Sequence, residues 1–428
     1  MLQVLKSSWA LLLGMGLLMV GNGLQATLMG VRGAIEGFTT FELSLITSAY
    51  FVGFLGGSRL TPAFIRRVGH VRVFAALGSF ISAAVILFPA ITDPYAWMIL
   101  RVITGFCFCG VYVTAESWLN NAASNENRGQ ALSAYMIVQM AGVIAAQGML
   151  NIADPAGWIL FVLPSVLVSI SFAPILLSVT PTPAFASTKA MSLRQVFDSS
   201  PLTFVGMFLL GGVFAAQFGM AAVYGTEAGL SVAQISTFVA TIFAGSLVMQ
   251  YPIGWLSDRM DRRVLILGAA LVGGLAAIVG FLFGESFPVL LGVAFLMGGV
   301  SNPLYSLLIA YLNDYLDPDD MAGASGGLLF VNGVGAIAGP PITAWLMGVV
   351  GPGGFWLFVA VLLLAVTGYA AYRMTQRASA RVEEASAYVN IMPTSSPVAA
   401  EVAQEVYIDA VADAGETDTA EPAAESRH

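Results

Sequence analysis

The sequence is dominated by apolar stretches that are each long enough to cross a lipid bilayer as an α-helix. Crossing a hydrocarbon core of about 30 Å takes roughly 20 residues. Of the 428 residues, 57% are hydrophobic and only 10% are charged, which is more apolar surface than a soluble core buries. Twelve such windows occur: 8–30, 42–63, 71–92, 97–118, 132–152, 157–178, 201–224, 233–255, 264–284, 288–312, 322–348 and 353–373. The chain is therefore predicted to be an all-α membrane protein with twelve transmembrane helices.

Two short charged loops, one half-chain apart, carry related sequences. Residues 254–263 read G-W-L-S-D-R-M-D-R-R, and residues 62–72 read P-A-F-I-R-R-V-G-H-V-R. The first loop resembles the loop signature of the major facilitator superfamily, whose usual form has glycine where Asp261 stands. The second loop keeps Arg67 and Gly69 but has Arg66 where the acid would fall. This resemblance implies a duplicated six-helix unit.

An internal repeat supports the duplication. Tyr112 and the run 118–120 match Tyr305 and the run 311–313, and at the same offset Gln139 falls on Asn332. We therefore expect two pseudo-symmetric six-helix bundles, the major facilitator fold. The predicted division is an N-terminal bundle, a cytoplasmic linker, a C-terminal bundle and an acidic disordered tail, at 1–178, 179–200, 201–377 and 378–428.

The run Glu116-Ser117-Trp118-Leu119-Asn120, followed by Arg128-Gly129, resembles the YcaD-like branch of this superfamily. The resemblance covers roughly residues 8–375. It implies a secondary-active transporter that moves a small solute by alternating access. It says nothing about the identity of that solute.

Positive charge is concentrated on one side of the predicted bilayer. If the N-terminus is cytoplasmic, the outer loops hold only Arg32, and the inner segments hold the other loop arginines. This bias sets topology. We expect both termini to be cytoplasmic, in the plasma membrane of a bacterium (its inner membrane).

Polar residues inside the spans are the candidates for a substrate cavity, because two related halves place the substrate between them near the midplane. The candidates are Asn22, Gln25, Arg101, Tyr112, Gln217, Tyr224, Asn302 and Tyr305. For each one, helix packing is an equally good interpretation. Arg101-x-x-x-Gly105 is similar to the superfamily's helix-4 motif, in which the arginine faces the cavity, but Arg101 near the outer interface would also suit snorkelling. Arg101 would suit a substrate anion, whereas amides and tyrosines suit sugars or amphiphiles.

The sequence is compatible with more than one way of driving transport. There is no G-x-x-x-x-G-K-[ST] loop, so ATP is not the direct source. Glu116 is the acid that lies clearly inside a predicted span, which makes it the candidate for proton coupling. The alternative is an ion pair with Arg128 or the loop arginines. An uncoupled facilitator or a drug or metabolite exporter also fits, and a non-transporting receptor or channel fits less well.

Charged loops on the cytoplasmic side predict a gate. The loop after the tenth window is acidic, and Arg66 and Arg67 lie in its counterpart, so we hypothesise a latch between them that breaks on opening. The alternative is ordinary solvated charge. The gate residues are Arg66, Arg67, Arg128, Asp258, Arg259, Arg262, Asp314, Asp317, Asp319 and Asp320.

The sequence offers few residues that could serve as catalytic groups or metal ligands. Cys107 and Cys109 are the only cysteines and point apart on one helix, and the two histidines are His70 in a loop and His428 at the end of the chain. We expect no cofactor, no metal and no catalytic residue. The expected partners are a small-molecule solute and membrane lipid, with no nucleic acid, and the protein is expected to be a monomer. The tail is expected to be dispensable for transport.

Overall fold

The computed structural model describes residues 2–122, 125–177, 191–316 and 318–376, and seven residues near the C-terminus. Those seven are Tyr388, Asn390, Ile391, Met392, Ser396, Val398 and Ala399. Throughout these described parts the chain is helical, without strands. Each of the twelve predicted windows overlaps a helical segment along most of its length, so the predicted fold class is confirmed.

The first half contains α1 (Leu2–Ile35), α2 (Thr40–Val68), α3 (His70–Leu87), α4 (Pro94–Ala122), α5 (Asn125–Met149) and α6 (Ile159–Leu177). A short helix, α7 (Leu193–Ser199), precedes the second half. The predicted linker boundaries at 179 and 200 stay a prediction, because 178–190 lie outside the described residues.

The second half begins with α8 (Pro201–Ala215), a π-helical turn (Ala216–Met220) and α9 (Ala221–Glu227), which together form one span. It continues with α10 (Val232–Ser257), α11 (Arg262–Phe283), α12 (Phe287–Asn313), α13 (Pro318–Val350) and α14 (Gly354–Gln376). In the part of the chain that the structure describes, ten helices are long and apolar enough to cross a membrane, and Ile159–Pro174 forms a shorter apolar helix.

Local sequence explains where several helices begin. Thr39 and Glu42 form a capping box at the start of α2, and Ser231 and Gln234 form one at the start of α10. Each box satisfies backbone N–H groups that have no partner within the helix. Gly69, between α2 and α3, has φ of 85°, a conformation that glycine adopts without strain. The tight reversal at the loop after α2 depends on this glycine.

Close backbone contact joins α2 to α4 in the first half. A Cβ atom on Gly53 would lie 2.0 Å from the carbonyl oxygen of Val102, and one on Gly105 would lie 2.0 Å from that of Tyr50. Glycine at both points lets the helices approach more closely than any other residue would permit. Gly105 of the sequence motif is therefore a packing residue.

The second half repeats this contact between α10 and α12. A Cβ atom on Gly245 would lie 2.1 Å from the carbonyl oxygen of Phe295, and one on Gly298 would lie 1.9 Å from that of Ile242. Gly298 and Phe295 of α12 correspond to Gly105 and Val102 of α4 under the alignment that pairs Tyr112 with Tyr305. In α10, Gly245 and Ile242 lie one residue before the positions that this alignment pairs with Gly53 and Tyr50 of α2. The internal repeat read from the sequence is thus also a repeat of helix packing.

The two six-helix halves contact each other near the face of the membrane at which α1 ends and α2 begins. There, Gly30 of α1 packs against Ala222 of α9. The Asn151 side-chain amide donates to Ser236 Oγ at 2.9 Å, and the Ser48 hydroxyl of α2 donates to the Ile337 carbonyl of α13 at 2.7 Å. We call this the closed side. The other side, where α2 ends, is called the arginine-rich side.

We predict that the same substitution at two glycines of α12 has opposite effects. Gly298→Ala should destabilise the protein by about 2–3 kcal/mol, because the added methyl group meets the backbone of α10. Gly292→Ala should stabilise it by about 0.5–1 kcal/mol, because that position is open and alanine favours the helix. Thermal unfolding of the detergent-purified variants measures both effects, and equal shifts would contradict the packing described for Gly298.

Candidate functional site

The structure brings two of the predicted cavity residues of the first half together. The Asn22 amide of α1 donates to the Tyr112 hydroxyl of α4 at 2.9 Å, and that hydroxyl donates to Met19 Sδ at 3.3 Å. Asn22 and Tyr112 are both 0% exposed. The polar groups therefore face the protein interior, and the hydrogen bond joins α1 to α4.

Arg101 of α4 is buried in this half, with 1% of its surface exposed. Its guanidinium lies 4.5 Å above the centre of the Tyr50 ring, a cation–π contact that the sequence did not indicate. Because the group is enclosed by protein, Arg101 does not snorkel to the interface. Within the described parts of the chain, its Nε and Nη1 atoms have no hydrogen-bond partner.

Gln25, one turn from Asn22 on α1, is also buried without partners. Neither its amide nitrogen nor its oxygen is hydrogen-bonded to a described residue, and the same holds for Asn22 Oδ1. Polar atoms buried inside proteins are normally paired, so unpaired ones need an explanation. A polar solute that takes up these bonds is such an explanation.

The candidate polar groups of the second half are paired with neighbours. Gln217 lies in the π-helical turn, where its amide donates to Ser301 Oγ at 2.8 Å and accepts from it at 3.1 Å. Asn302 of α12 donates to Ser246 Oγ of α10 at 2.6 Å. π-helical turns inside α-helices are frequent at functional sites. The candidate residues of the two halves therefore differ. Those of the first half include buried polar atoms without a hydrogen-bond partner, whereas Gln217 and Asn302 of the second half are hydrogen-bonded to serines.

The two tyrosines predicted in the second half lie in different surroundings. Tyr224 stacks on Phe355 with ring centres 5.1 Å apart and meets Trp356 edge-on at 5.6 Å. Its surroundings are those of a packed aromatic side chain. Tyr305 of α12 is 3% exposed and directly precedes Ser306 in the chain. Contact of either side chain with a solute stays a prediction.

Aromatic rings of α2 and of the π-helical turn pack against each other near Arg101. The Tyr50 ring lies 5.8 Å from Phe218 of the π-helical turn, and Phe51 lies 6.1 Å from Phe214 and 6.4 Å from Phe218. These rings come from both halves. Because α2 and the π-helical turn meet here, these rings are where the two halves contact each other beside Arg101.

Glu116 lies further along α4 toward the arginine-rich side and is 2% exposed. The Tyr135 hydroxyl of α5 donates to its Oε1 at 3.2 Å, and the backbone N–H of Ser396 donates to its Oε2 at 2.9 Å. The suggested pairing with Arg128 is untested, because the Arg128 side chain lies outside the described residues. The contact with Ser396 was missed by sequence reasoning, since no local pattern indicates it.

The predicted gate residues of the second half form a compact network. Arg262 at the start of α11 forms an ion pair with Asp314, and the two side chains are 3% and 4% exposed. Arg262 also donates to Ser257 Oγ at 3.1 Å and to the Ala310 carbonyl at 3.2 Å. This arginine therefore ties together the ends of α10, α11 and α12.

The other gate residues lie around this network at the surface. Arg259 stacks on Trp255 at 4.3 Å, and the exposed Asp258 accepts from the Tyr388 backbone N–H at 3.0 Å. Arg66, Arg67 and Asp320 are exposed. Asp317 and the Asp319 side chain lie outside the described residues. The latch between the two loops stays a prediction.

Comparison with known proteins identifies the family. The sequence profile described as Major Facilitator Superfamily matches residues 11–240 and 203–403. The chain belongs to the major facilitator superfamily. It is similar to the MFS-type transporter YcaD of Salmonella arizonae, with 27% identity over 345 residues, 79% of this chain and 88% of the relative. YcaD of Escherichia fergusonii is 26% identical over 343 residues, again 79% of this chain and 88% of the relative.

Solved structures share the fold. The nucleoside transporter NupG superposes with a TM-score of 0.71 at 13% identity, over 87% of this chain and 100% of NupG. The human organic anion transporter MFSD10 superposes with a TM-score of 0.60 at 13% identity, over 86% of this chain and 99% of that chain. These likenesses show the architecture. Membership of the major facilitator superfamily and the apolar helices make this chain a multi-pass membrane protein, and that membership supports solute transport. Its sequence is similar to YcaD transporters.

We predict that breaking the buried ion pair costs far more stability than breaking an exposed one. Asp314→Ala removes the carboxylate that pairs with the buried Arg262 side chain and should cost about 3–5 kcal/mol. In the control, Asp198→Ala removes a pair with Arg194 whose side chains are 90% and 65% exposed. That change should stay within about 0.5 kcal/mol. Thermal unfolding of both variants is the measurement, and similar losses would contradict the role given to Arg262.

Proposed function

We propose that this transporter moves a small organic anion by alternating access, with proton coupling at Glu116. The observation that supports the anion is the buried Arg101, whose Nε and Nη1 have no hydrogen-bond partner among the described residues. A charge inside a membrane protein is costly unless a partner or water compensates it. An anionic group on the solute supplies that partner.

The acid on the same helix is too far away to serve Arg101. Glu116 lies about four turns along α4, or roughly 22 Å, from Arg101. Arg101 contacts the face of the Tyr50 ring, and its Nε and Nη1 atoms have no hydrogen-bond partner among the described residues. Planar guanidinium groups recognise carboxylates by paired hydrogen bonds. This favours a carboxylate or a similar anion as the solute's charged group.

Uncharged parts of the solute have candidate partners on α1. Gln25 and the Asn22 oxygen are buried without partners, and Asn22 is joined to Tyr112 of the arginine-bearing helix. The second half contributes Gln217 and Asn302, which are already bonded to serines. We therefore infer that the first half holds the solute, and that the second half moves relative to it.

Hydrogen bonds between the halves support an inward-facing cavity. The Ser48–Ile337 and Asn151–Ser236 hydrogen bonds lie on the closed side, and the positive-inside rule assigns the arginine-rich side to the cytoplasm. The conformation is then inward-facing, with both termini in the cytoplasm and the protein in the inner membrane of a bacterium. The protein is expected to act as a monomer, because each chain contains both halves.

We predict that anion recognition depends on Arg101. In the parent protein, at least one of lactate, succinate and benzoate should raise the unfolding midpoint, and the matched neutral amides should not. Arg101→Gln should weaken this binding by about tenfold or more, because the charge-assisted hydrogen bonds are lost. Arg101→Lys should retain part of the affinity.

The control for this prediction is Arg194→Gln, which removes an arginine that is 90% exposed. It should leave the midpoint shift unchanged. The measurements are thermal unfolding with each probe and uptake of the radiolabelled anion into proteoliposomes. Equal stabilisation by the neutral amides, or unchanged anion binding by Arg101→Gln, would overturn the proposed solute class.

We predict that Glu116 carries the coupled proton. Glu116→Gln keeps the shape and an acceptor oxygen for Tyr135 but cannot take up or release a proton, so uptake should no longer respond to a pH gradient. Exchange of internal for external solute should continue, since it needs no net proton movement. The control is Glu285→Gln at an exposed loop acid. An intact response to the pH gradient in Glu116→Gln would refute the coupling role.

A further inference from the structure

Residues beyond the last helix are buried in the protein. Ile391 and Met392 are each 2% exposed, Ser396 is 2% exposed and Ala399 is 0% exposed. They lie well past Gln376, the last residue of α14. We call Tyr388, Asn390, Ile391, Met392, Ser396, Val398 and Ala399 the docked residues. Buried apolar side chains of this kind need a surface that receives them.

The first docked residues contact α10 of the second half. The Tyr388 N–H donates to Asp258 Oδ1 at the end of α10, at 3.0 Å. The Tyr388 ring lies against Gly254, where an added Cβ atom would come within 2.7 Å of it. Gln250, one turn deeper, donates to the Tyr388 hydroxyl and to Asn390 Oδ1. The docked residues therefore follow α10 inward from its end.

Ile391 is held at α12 through both of its backbone groups. Its N–H donates to Ser306 Oγ at 3.0 Å, and its carbonyl accepts from the same hydroxyl at 2.9 Å. Ser306 is 1% exposed and neighbours Tyr305, a candidate cavity residue. The two hydrogen bonds to Ser306 therefore place Ile391 beside the segment of α12 that contains Tyr305.

Ser396 then reaches the first half. Its N–H donates to Glu116 Oε2 at 2.9 Å, and its hydroxyl accepts from the Val398 N–H at 3.2 Å. Glu116 is on α4, whereas Ser306 is on α12 and Asp258 ends α10. The docked residues thus bridge the two halves, on the side of the molecule where α4, α10 and α12 end.

We propose that the docked residues form a self-inhibitory plug in the arginine-rich side of the central cavity. The inference rests on the proposed transport function, because a plug matters only where a solute passes. A solute crossing between Arg101 and the arginine-rich side has to pass Ser306 and Glu116, which the plug occupies. Closure of the halves on this side also requires the plug to leave, since it lies between them.

The plug changes the expectation for the tail. Its composition alone predicts a dispensable acidic segment, whereas the docked residues predict that releasing it accelerates transport. It also gives Glu116 a second partner. A proton taken up by Glu116 at Oε2 would compete with the Ser396 N–H, so the coupling residue and the plug meet at one carboxylate.

The test uses the full-length chain with Ile391→Asp, which places a charge where a buried apolar side chain docks. Ile391→Leu keeps an apolar side chain of the same volume, and Ala420→Asp adds the same charge to the tail at a position beyond the docked residues. In hydrogen–deuterium exchange, peptides covering 388–399 should exchange about tenfold faster in Ile391→Asp than in the parent and both controls. Equal exchange in all four proteins would overturn the docking.

A second measurement tests obstruction without any solute. Tyr305→Cys is introduced as a reporter after Cys107→Ala and Cys109→Ala remove the native thiols. Labelling by a membrane-impermeant maleimide from the arginine-rich side should be about tenfold faster when Ile391→Asp is present, because the plug no longer covers the cavity. Unchanged labelling would overturn the plug.

Measurements of carboxylate uptake then test the plug proposal and the proposed solute class separately. If carboxylate uptake occurs, its initial rate should rise about threefold or more in Ile391→Asp and stay at the parent value in both controls. An unchanged rate would overturn self-inhibition. If labelling depends on the tail but none of the carboxylates is transported, the solute class is wrong and the plug stands.

Discussion

The bilayer offers no water to backbone groups, and the rest of this structure follows from that constraint. Every span has to satisfy its own N–H and C=O groups, so it is a helix, and helix contacts cannot rely on excluding water. The protein meets this by backbone contact at glycines, as between Gly53 and Val102 and between Gly298 and Ile242. Gly105 and Gly298 lie at equivalent positions of α4 and α12, so both halves are built around the same kind of helix contact.

Each charged side chain that is buried among these apolar helices needs a partner that compensates its charge. The Arg262 charge is compensated by Asp314 within one half, which makes it part of the scaffold. Arg101 has the Tyr50 ring, and two of its nitrogen atoms lack a partner among the described residues. That difference separates a structural charge from a candidate for solute recognition. The two arginines have the same chemistry and different surroundings, and that difference is the basis of the role proposed for Arg101.

The same reasoning connects Glu116 to the end of the chain. A buried carboxylate requires donors, and it finds one on α5 and one in the docked residues. A transport cycle that opens and closes this side must exchange these donors for others. The proposed coupling role and the proposed self-inhibitory contact therefore depend on the same requirement, the compensation of a carboxylate away from bulk water.

The sequence by itself determined the twelve spans, the duplication and the family. Hydropathy is a property of consecutive residues, and the loop motifs and the Tyr112–Tyr305 repeat are local too. It also selected Asn22, Tyr112 and Arg101, because polar residues inside apolar helices are conspicuous. Only the tertiary structure decided what each one meets. Helix packing places the Tyr50 ring under Arg101 and surrounds Tyr224 with aromatic rings. It also brings Ser306 and Glu116 into contact with residues far along the chain. Such contacts join positions that no local pattern relates.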